Sequence, residues 1–146
     1  MSAQSAEMTT AELASSLRLS LLRAARRIRS QRVNTTATLS QLSALATVNK
    51  CGPLSAGEIA AVERVQPPSM TKILAALEAS GWVARASHPD DRRQSIISIT
   101  DAGRQLMAEE TRARDEWLAE RLVDFSAEDI QKLRDAVGVL DRLGSE

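Results

Sequence analysis

The stretch Asp91-Arg92-Arg93-Gln94-Ser95-Ile96-Ile97-Ser98-Ile99-Thr100-Asp101-Ala102-Gly103 leaves few structures open. A charged knot runs into five residues rich in isoleucine and serine, which read as a strand. Thr100-Asp101 then reads as a helix start. Trp82-Val83-Ala84-Arg85-Ala86 has the same strand character, and His88-Pro89-Asp90-Asp91-Arg92-Arg93 between the two is longer than a tight hairpin turn. The reading is a two-stranded ribbon with a charged tip. Just upstream, Gln66-Pro67-Pro68 forces a turn, because the residue before a proline is pushed out of the helical region. Pro68 then suits the first turn of a new helix, where its missing N–H costs nothing. That helix, about 68–79, places Met70, Ile73, Leu74 and Leu77 on one face and Ser69, Thr71, Lys72, Ala75 and Ala76 on the other.

The rest of the chain supports a helical frame. Its 146 residues suit one domain with a real core. Trp82, Trp117 and Phe125 are the only aromatics, so the core must be aliphatic. Abundant Ala and Leu with few Gly favour helix. No run of about 18 apolar residues offers a membrane span. The first residues lack the basic-then-apolar layout of a secretory signal. One cysteine cannot close an internal disulfide, and the chain reads as cytoplasmic.

Read in order, residues 1–8 are small and polar, an expected frayed end. Capping boxes at Thr9-Thr10-Ala11-Glu12, Thr38-Leu39-Ser40-Gln41 and Ser55-Ala56-Gly57-Glu58 each predict a helix start. The first helix should reach about Arg32, with Leu13, Leu17, Leu21 and Ile28 on one side and six arginines on the other. The second runs through Leu42, Leu45 and Val48 and stops at Cys51-Gly52-Pro53. The third is short, with Ile59, Ala60 and Val62 inward. A fifth helix should reach about Val123, with Leu106, Ala113, Trp117 and Leu122 as buried candidates. Ser126-Ala127-Glu128-Asp129 opens a last helix, in which Ile130, Leu133, Val137 and Leu140 repeat at the spacing of a helix–helix seam.

The net charge is zero, but its distribution is uneven. Residues 1–100 hold 12 of the 19 basic and 7 of the 19 acidic residues, a balance of +5, and residues 101–146 carry −5. From Leu13 to Gly57 there are seven basic residues and no acid. A basic body is compatible with a polyanionic partner, and equally with solvated helix faces.

Three short helices followed by a ribbon form a winged helix-turn-helix pattern, whose second helix of the pair enters the major groove. Here that helix is 68–79. Ser69 and Thr71 can bond bases or phosphates, and Lys72 can reach a guanine edge or a phosphate. Gln66 and Pro68 at the helix entry count with them, since a helix N-terminus favours a phosphate. The ribbon tip would lie over the minor groove, where an arginine senses the potential of narrow A·T stretches.

These residues resemble the MarR family of transcriptional regulators. That family's wing has an Asp, any residue, an Arg, five residues, a Leu or Ile, then Thr. Asp91, Arg93, Ile99 and Thr100 stand at those places, and Gly103 follows where the family has its glycine. Gly81-Trp82-Val83-Ala84-Arg85 matches the strand entry, and Gly52-Pro53-Leu54-Ser55 matches the turn before the first helix of the pair. The match covers roughly 39–103. The resemblance implies a mainly α (α+β) winged helix with six helices and a two-stranded wing, in an intertwined homodimer. It makes Arg93 the wing-tip arginine, Arg92 a phosphate contact and Asp91 the acid that shapes the wing, with Arg85 paired to Asp91 or Asp90. Residues 37–100 would form the DNA-binding domain. Residues 1–36 and 101–146 would form the dimerisation region, with Leu13, Leu17, Ile130, Leu133, Val137 and Leu140 in its interface. The implied role is repression at a palindromic operator, relieved by a small lipophilic or phenolic effector whose binding residues the sequence does not identify.

Plainer readings stand beside these. Arg92 and Arg93 alone could be a solvated loop neutralised by Asp90 and Asp91. The arginines of the first helix can be solvated, pair with the acids of 101–146, or face DNA. A winged-helix module that binds protein instead of DNA would present an apolar or acidic outer face on 68–79, whereas Ser69, Thr71 and Lys72 stand there. His88 is the lone histidine and supports at most a phosphate contact when protonated, not a metal site. Some relatives sense peroxide through a cysteine at the start of the first long helix. None stands there, and Cys51 reads as a half-buried structural thiol. No nucleophile–base pair, Gly-rich phosphate loop or metal motif is present, so neither an enzyme nor a cofactor is expected.

Overall fold

The computed structural model describes residues 8–145, and the expected frayed end falls almost wholly outside them. The elements run α1 (Thr10–Arg29), α2 (Leu39–Cys51), β1 (Leu54–Ser55), α3 (Ala56–Glu63), α4 (Pro67–Ala79), β2 (Val83–Ser87), β3 (Ser95–Ile99), α5 (Asp101–Leu122) and α6 (Ala127–Leu143). The chain divides into two compact units, one of residues 32–113 and one of residues 1–31 with 114–146.

In the unit of residues 32–113, α2, α3 and α4 pack around an aliphatic core. Leu45, Val48, Ile59, Met70, Leu74 and Leu77 are fully buried there, and Ile97 of β3 closes one side. Each helix begins where its sequence places a cap. Thr38 and Ser55 accept from the backbone three residues on, and Gln41 and Glu58 reach back to the cap amides. The backbone amide of Ser55, then its hydroxyl, hold the Glu58 carboxyl below the usual carboxylate range. At the other end of α3, Glu63 accepts from the Ser43 hydroxyl at 2.7 Å and from the Thr47 hydroxyl at 2.5 Å, which fixes α3 against α2. Val62 does not face inward: it is exposed, because Ile59, Ala60 and Glu63 occupy the side turned to α2.

The ribbon is part of a three-stranded antiparallel sheet with order β1-β3-β2, where two strands were expected. Two residues, Leu54 and Ser55, pair with Ile97 and Ile96. A strand this short shows no periodicity in sequence. Ser55 thus ends β1, pairs with the wing's return strand and caps α3. Cys51 is exposed, not half-buried, because α2 ends on it and Gly52 turns the chain away at φ 79°.

The segment before α2 is fixed by a carboxylate that the sequence did not single out. Glu110 of α5 is fully buried, and its Oε1 accepts from the backbone amides of Val33 at 3.1 Å and Asn34 at 2.8 Å. Asn34 Oδ1 accepts in turn from the amides of Thr36 and Ala37. The Arg32 guanidinium donates to the carbonyls of Asn34 and Ala37.

In the second unit, α1 ends at Arg29, three residues before the expected stop. Ser30 and Gln31 donate their side chains to the Arg27 carbonyl at 2.8 and 3.1 Å and close the helix there. Neither α1 nor α6 has a fully buried residue. Trp117 and Leu122, expected to be buried, are half-buried, as is Ala113 in the unit of residues 32–113, and Arg121 stacks over the Trp117 ring at 4.3 Å. Among the described residues no helix is long and apolar enough to cross a membrane.

Candidate nucleic-acid interface

The N-terminal half of α4 separates its faces cleanly. Met70, Leu74 and Leu77 lie in the core, while Gln66, Pro68, Ser69, Thr71 and Lys72 are all exposed. Gln66 is the N-cap residue, with no side-chain cap bond, and prolines fill the first two helical positions. Two of the orphan N–H groups are therefore absent by chemistry, and the side chains around them are short or flexible. The Thr71 hydroxyl donates to the Pro67 carbonyl at 3.0 Å, which leaves its oxygen lone pairs to face outward. Lys72 alone among these residues carries a charge. Arg64, the residue that closes α3, holds a left-handed conformation at φ 53° and is exposed.

The wing is built from β2 and β3 in register from Val83↔Ile99 to Ser87↔Ser95. At its base the Thr100 hydroxyl donates to the Gly81 carbonyl at 2.6 Å and accepts from the Gly103 amide at 3.1 Å. Thr100 N donates to the Trp82 carbonyl at 3.0 Å. One residue therefore ties the entry to β2 to the first turn of α5.

At the tip, Asp91 Oδ1 accepts from the Arg93 amide at 3.0 Å, and the Gln94 amide donates to the Asp91 carbonyl at 3.0 Å. His88 N donates to the Gln94 carbonyl at 3.1 Å. The imidazole Nδ1 of His88 accepts from the amides of both Asp90 at 3.1 Å and Asp91 at 3.2 Å. Arg92 and Arg93 project from this scaffold, both exposed. Arg85 does not pair with Asp90 or Asp91: its Nε meets Glu78 Oε2 of α4 at 3.1 Å. The Asp91 carboxylate is engaged by the Arg93 amide, whereas Glu78 lies across the short turn that joins α4 to β2. A cleft of about 370 Å³ runs between the start of α3 and the wing, and Arg85 and Arg93 both line it.

The six positions expected in a dimer interface fall on α1 and α6. Leu13, Leu133 and Val137 are exposed, and Leu17, Ile130 and Leu140 are half-buried. Among the described residues no group of three or more His, Cys, Asp or Glu could hold a metal ion.

A helix pair with an exposed, short-side-chained entry and an arginine-tipped ribbon at its flank defines a winged helix-turn-helix, a reader of duplex DNA. Residues 37–95 match the family model described as MarR family. An HTH-type transcriptional regulator of Mycobacterium tuberculosis is 42% identical over 136 residues, 93% of this chain and 95% of that protein. The HTH-type transcriptional repressor MdtR of Bacillus subtilis is 34% identical over 92 residues, 63% of this chain and 59% of its own. A MarR family protein from Bacillus stearothermophilus has a similar structure, with a TM-score of 0.77 at 26% identity over 96% of this chain and 98% of that one. The YusO protein of Bacillus subtilis gives 0.71 at 27% identity over 92% of this chain and 98% of its own. The chain belongs to the MarR family of HTH-type transcriptional regulators. It is a DNA-binding regulator of transcription, from a family of regulators and not of enzymes.

Proposed function

We propose that the protein represses transcription by binding a palindromic operator as a homodimer, with α4 in the major groove and the loop 87–94 in the minor groove. The observation that carries this reading is the division of α4. Three fully buried apolar residues fix its inner face, so Ser69, Thr71 and Lys72 form a rigid outer face beside an arginine-tipped wing. Ser69, Thr71 and Lys72 contact bases or phosphates, Gln66 and Pro68 let the helix entry approach the backbone, and Arg92 and Arg93 enter the minor groove. Asp91 shapes the tip, and Asp90 donates its amide to the same turn.

The reader comprises residues 37–100, and residues 1–36 with 101–146 form the dimerisation region. The apolar residues left exposed on α1 and α6 support this, since Leu13 is 52% and Val137 57% accessible in a single chain. A two-fold dimer would set two α4 helices about one duplex turn apart, ~34 Å. Repression is the sign of regulation that the relative named as a repressor supports. A small lipophilic or phenolic effector would release the operator by favouring a half-site spacing that no longer fits.

Selection of bound sequences from random DNA tests the whole reading. A palindrome with half-sites one turn apart is expected, and a single asymmetric site or no enrichment would refute it. Arg93→Ala should weaken operator binding by ~1–3 kcal/mol, with a shallower salt dependence, in a titration across salt concentrations. Binding equal to the parent at every salt would remove the wing from the interface. Val137→Asp should shift the protein towards monomer in sedimentation at micromolar concentration, because a carboxylate in an apolar seam is costly to bury. An unchanged dimer would move the interface elsewhere.

A further inference from the structure

The half-buried imidazole of His88 has a place in the wing that neither charge nor metal binding explains. Its Nδ1 faces two consecutive backbone N–H groups, those of Asp90 and Asp91, at 3.1 and 3.2 Å. Both are donors, so Nδ1 serves there only as a lone pair, with any ring proton on Nε2. The contact leads directly to the arginines. The amide that His88 holds belongs to Asp91, and the carboxylate of Asp91 holds the amide of Arg93 at 3.0 Å. His88 also closes the loop through its own backbone, donating to Gln94.

We propose that His88 is a positioning residue for the wing arginines, and that protonation of its Nδ1 releases the tip and weakens DNA binding. This rests on the wing's being part of the DNA interface. A proton on Nδ1 turns the acceptor into a third donor aimed at two others, so both amides lose their partner at once. The charged groups around the ring do not replace it. Glu58 of α3 lies close enough for its charge to interact with the imidazole, but its carboxylate is engaged by Ser55. Asp91 is committed to Arg93 and Gln94, while Asp90, Arg92 and Arg93 are exposed at the tip.

The sign is what makes the inference specific. A histidine that merely added positive charge near phosphates would tighten DNA binding as pH falls. A histidine whose lone pair holds the tip must loosen it. Operator affinity of the protein should therefore fall roughly tenfold when the pH is lowered from about 8 to about 5.5. His88→Asn retains an oxygen acceptor for the two amides and cannot be protonated in this range. It should lose most of the acid sensitivity, whatever its affinity at pH 8. His88→Ala, with no acceptor, should bind weakly at both pH values. Tighter binding by the parent at low pH, or a His88→Asn profile parallel to the parent's, would overturn the proposal.

A readout without DNA separates this inference from the wing–DNA reading. In the free protein, the amide resonances of Asp90, Asp91 and Arg93 should titrate together with the His88 ring nitrogens. If they do so while Arg93→Ala binds DNA normally, the positioning role of His88 stands and the wing contact with DNA fails. If they do not move with the ring, the positioning role itself fails.

Discussion

Gly103→Ala should destabilise the protein by ~2–4 kcal/mol, although alanine is the better helix former by about 1 kcal/mol. Gly103 lies in the first turn of α5, where a Cβ would stand 2.2 Å from the Trp82 carbonyl oxygen and 2.8 Å from Ile99 Cγ1. The isoleucine can change rotamer, but the carbonyl belongs to the backbone and accepts from Thr100 N. Making room means moving α5 away from the entry to β2. That movement strains the Thr100 hydroxyl's bond to Gly81 and uncovers Leu106 and Met107, which are 6% and 8% exposed. Thermal unfolding followed by circular dichroism at a fixed protein concentration will measure the loss. A melting temperature equal to or above the parent's, as helix propensity alone predicts, would show that the two backbones do not approach so closely.

Glu110→Leu should cost a comparable ~2–4 kcal/mol, and Glu110→Gln much less. The carboxylate is fully buried and serves two consecutive amides 76 and 77 residues away in sequence. Leucine has similar bulk but leaves both amides without an acceptor in a part-buried site. Glutamine keeps a carbonyl oxygen where Oε1 now stands. Chemical denaturation of the three proteins in parallel will rank them. If leucine proves as stable as the parent, those two amides must find water or another acceptor, and the segment before α2 is not anchored through Glu110.

Gly103 and Glu110 owe their roles to partners distant in the chain. Local chemistry was legible: Thr9, Thr38 and Ser55 each begin a helix as their capping boxes require, and the aromatic-poor composition gives an aliphatic core. The buried stripe of α4 was equally readable, since Met70, Leu74 and Leu77 follow the helical period. What depends on distant partners was not. Arg85 has two aspartates nearby in the loop and instead pairs with Glu78 across a turn. A glutamate within a polar helix gives no sign of being buried until Val33 and Asn34 fold back upon it. Gly103 could be placed by family pattern, but its crowding against Trp82 appears only when the wing base closes. In the candidate site, the residue types and their order were legible, while the role of His88 in the turn required the loop's backbone path.

Ser55 carries a consequence for how such a reader can diversify. It pairs with Ile96, caps α3 and accepts the amide of Glu58, so the wing's return strand and the first helix of the pair share one residue. Thr100 fastens the other end of the same strand. The strands are therefore a fixed mount, and the loop 88–94 is an interchangeable fitting upon it. A loop of equal length with an acceptor at position 88 and an aspartate at 91 can present a different tip chemistry without disturbing α3 or α4. On the proposed reading of the interface, the preference for operator flanks would drift separately from the sequence met by α4.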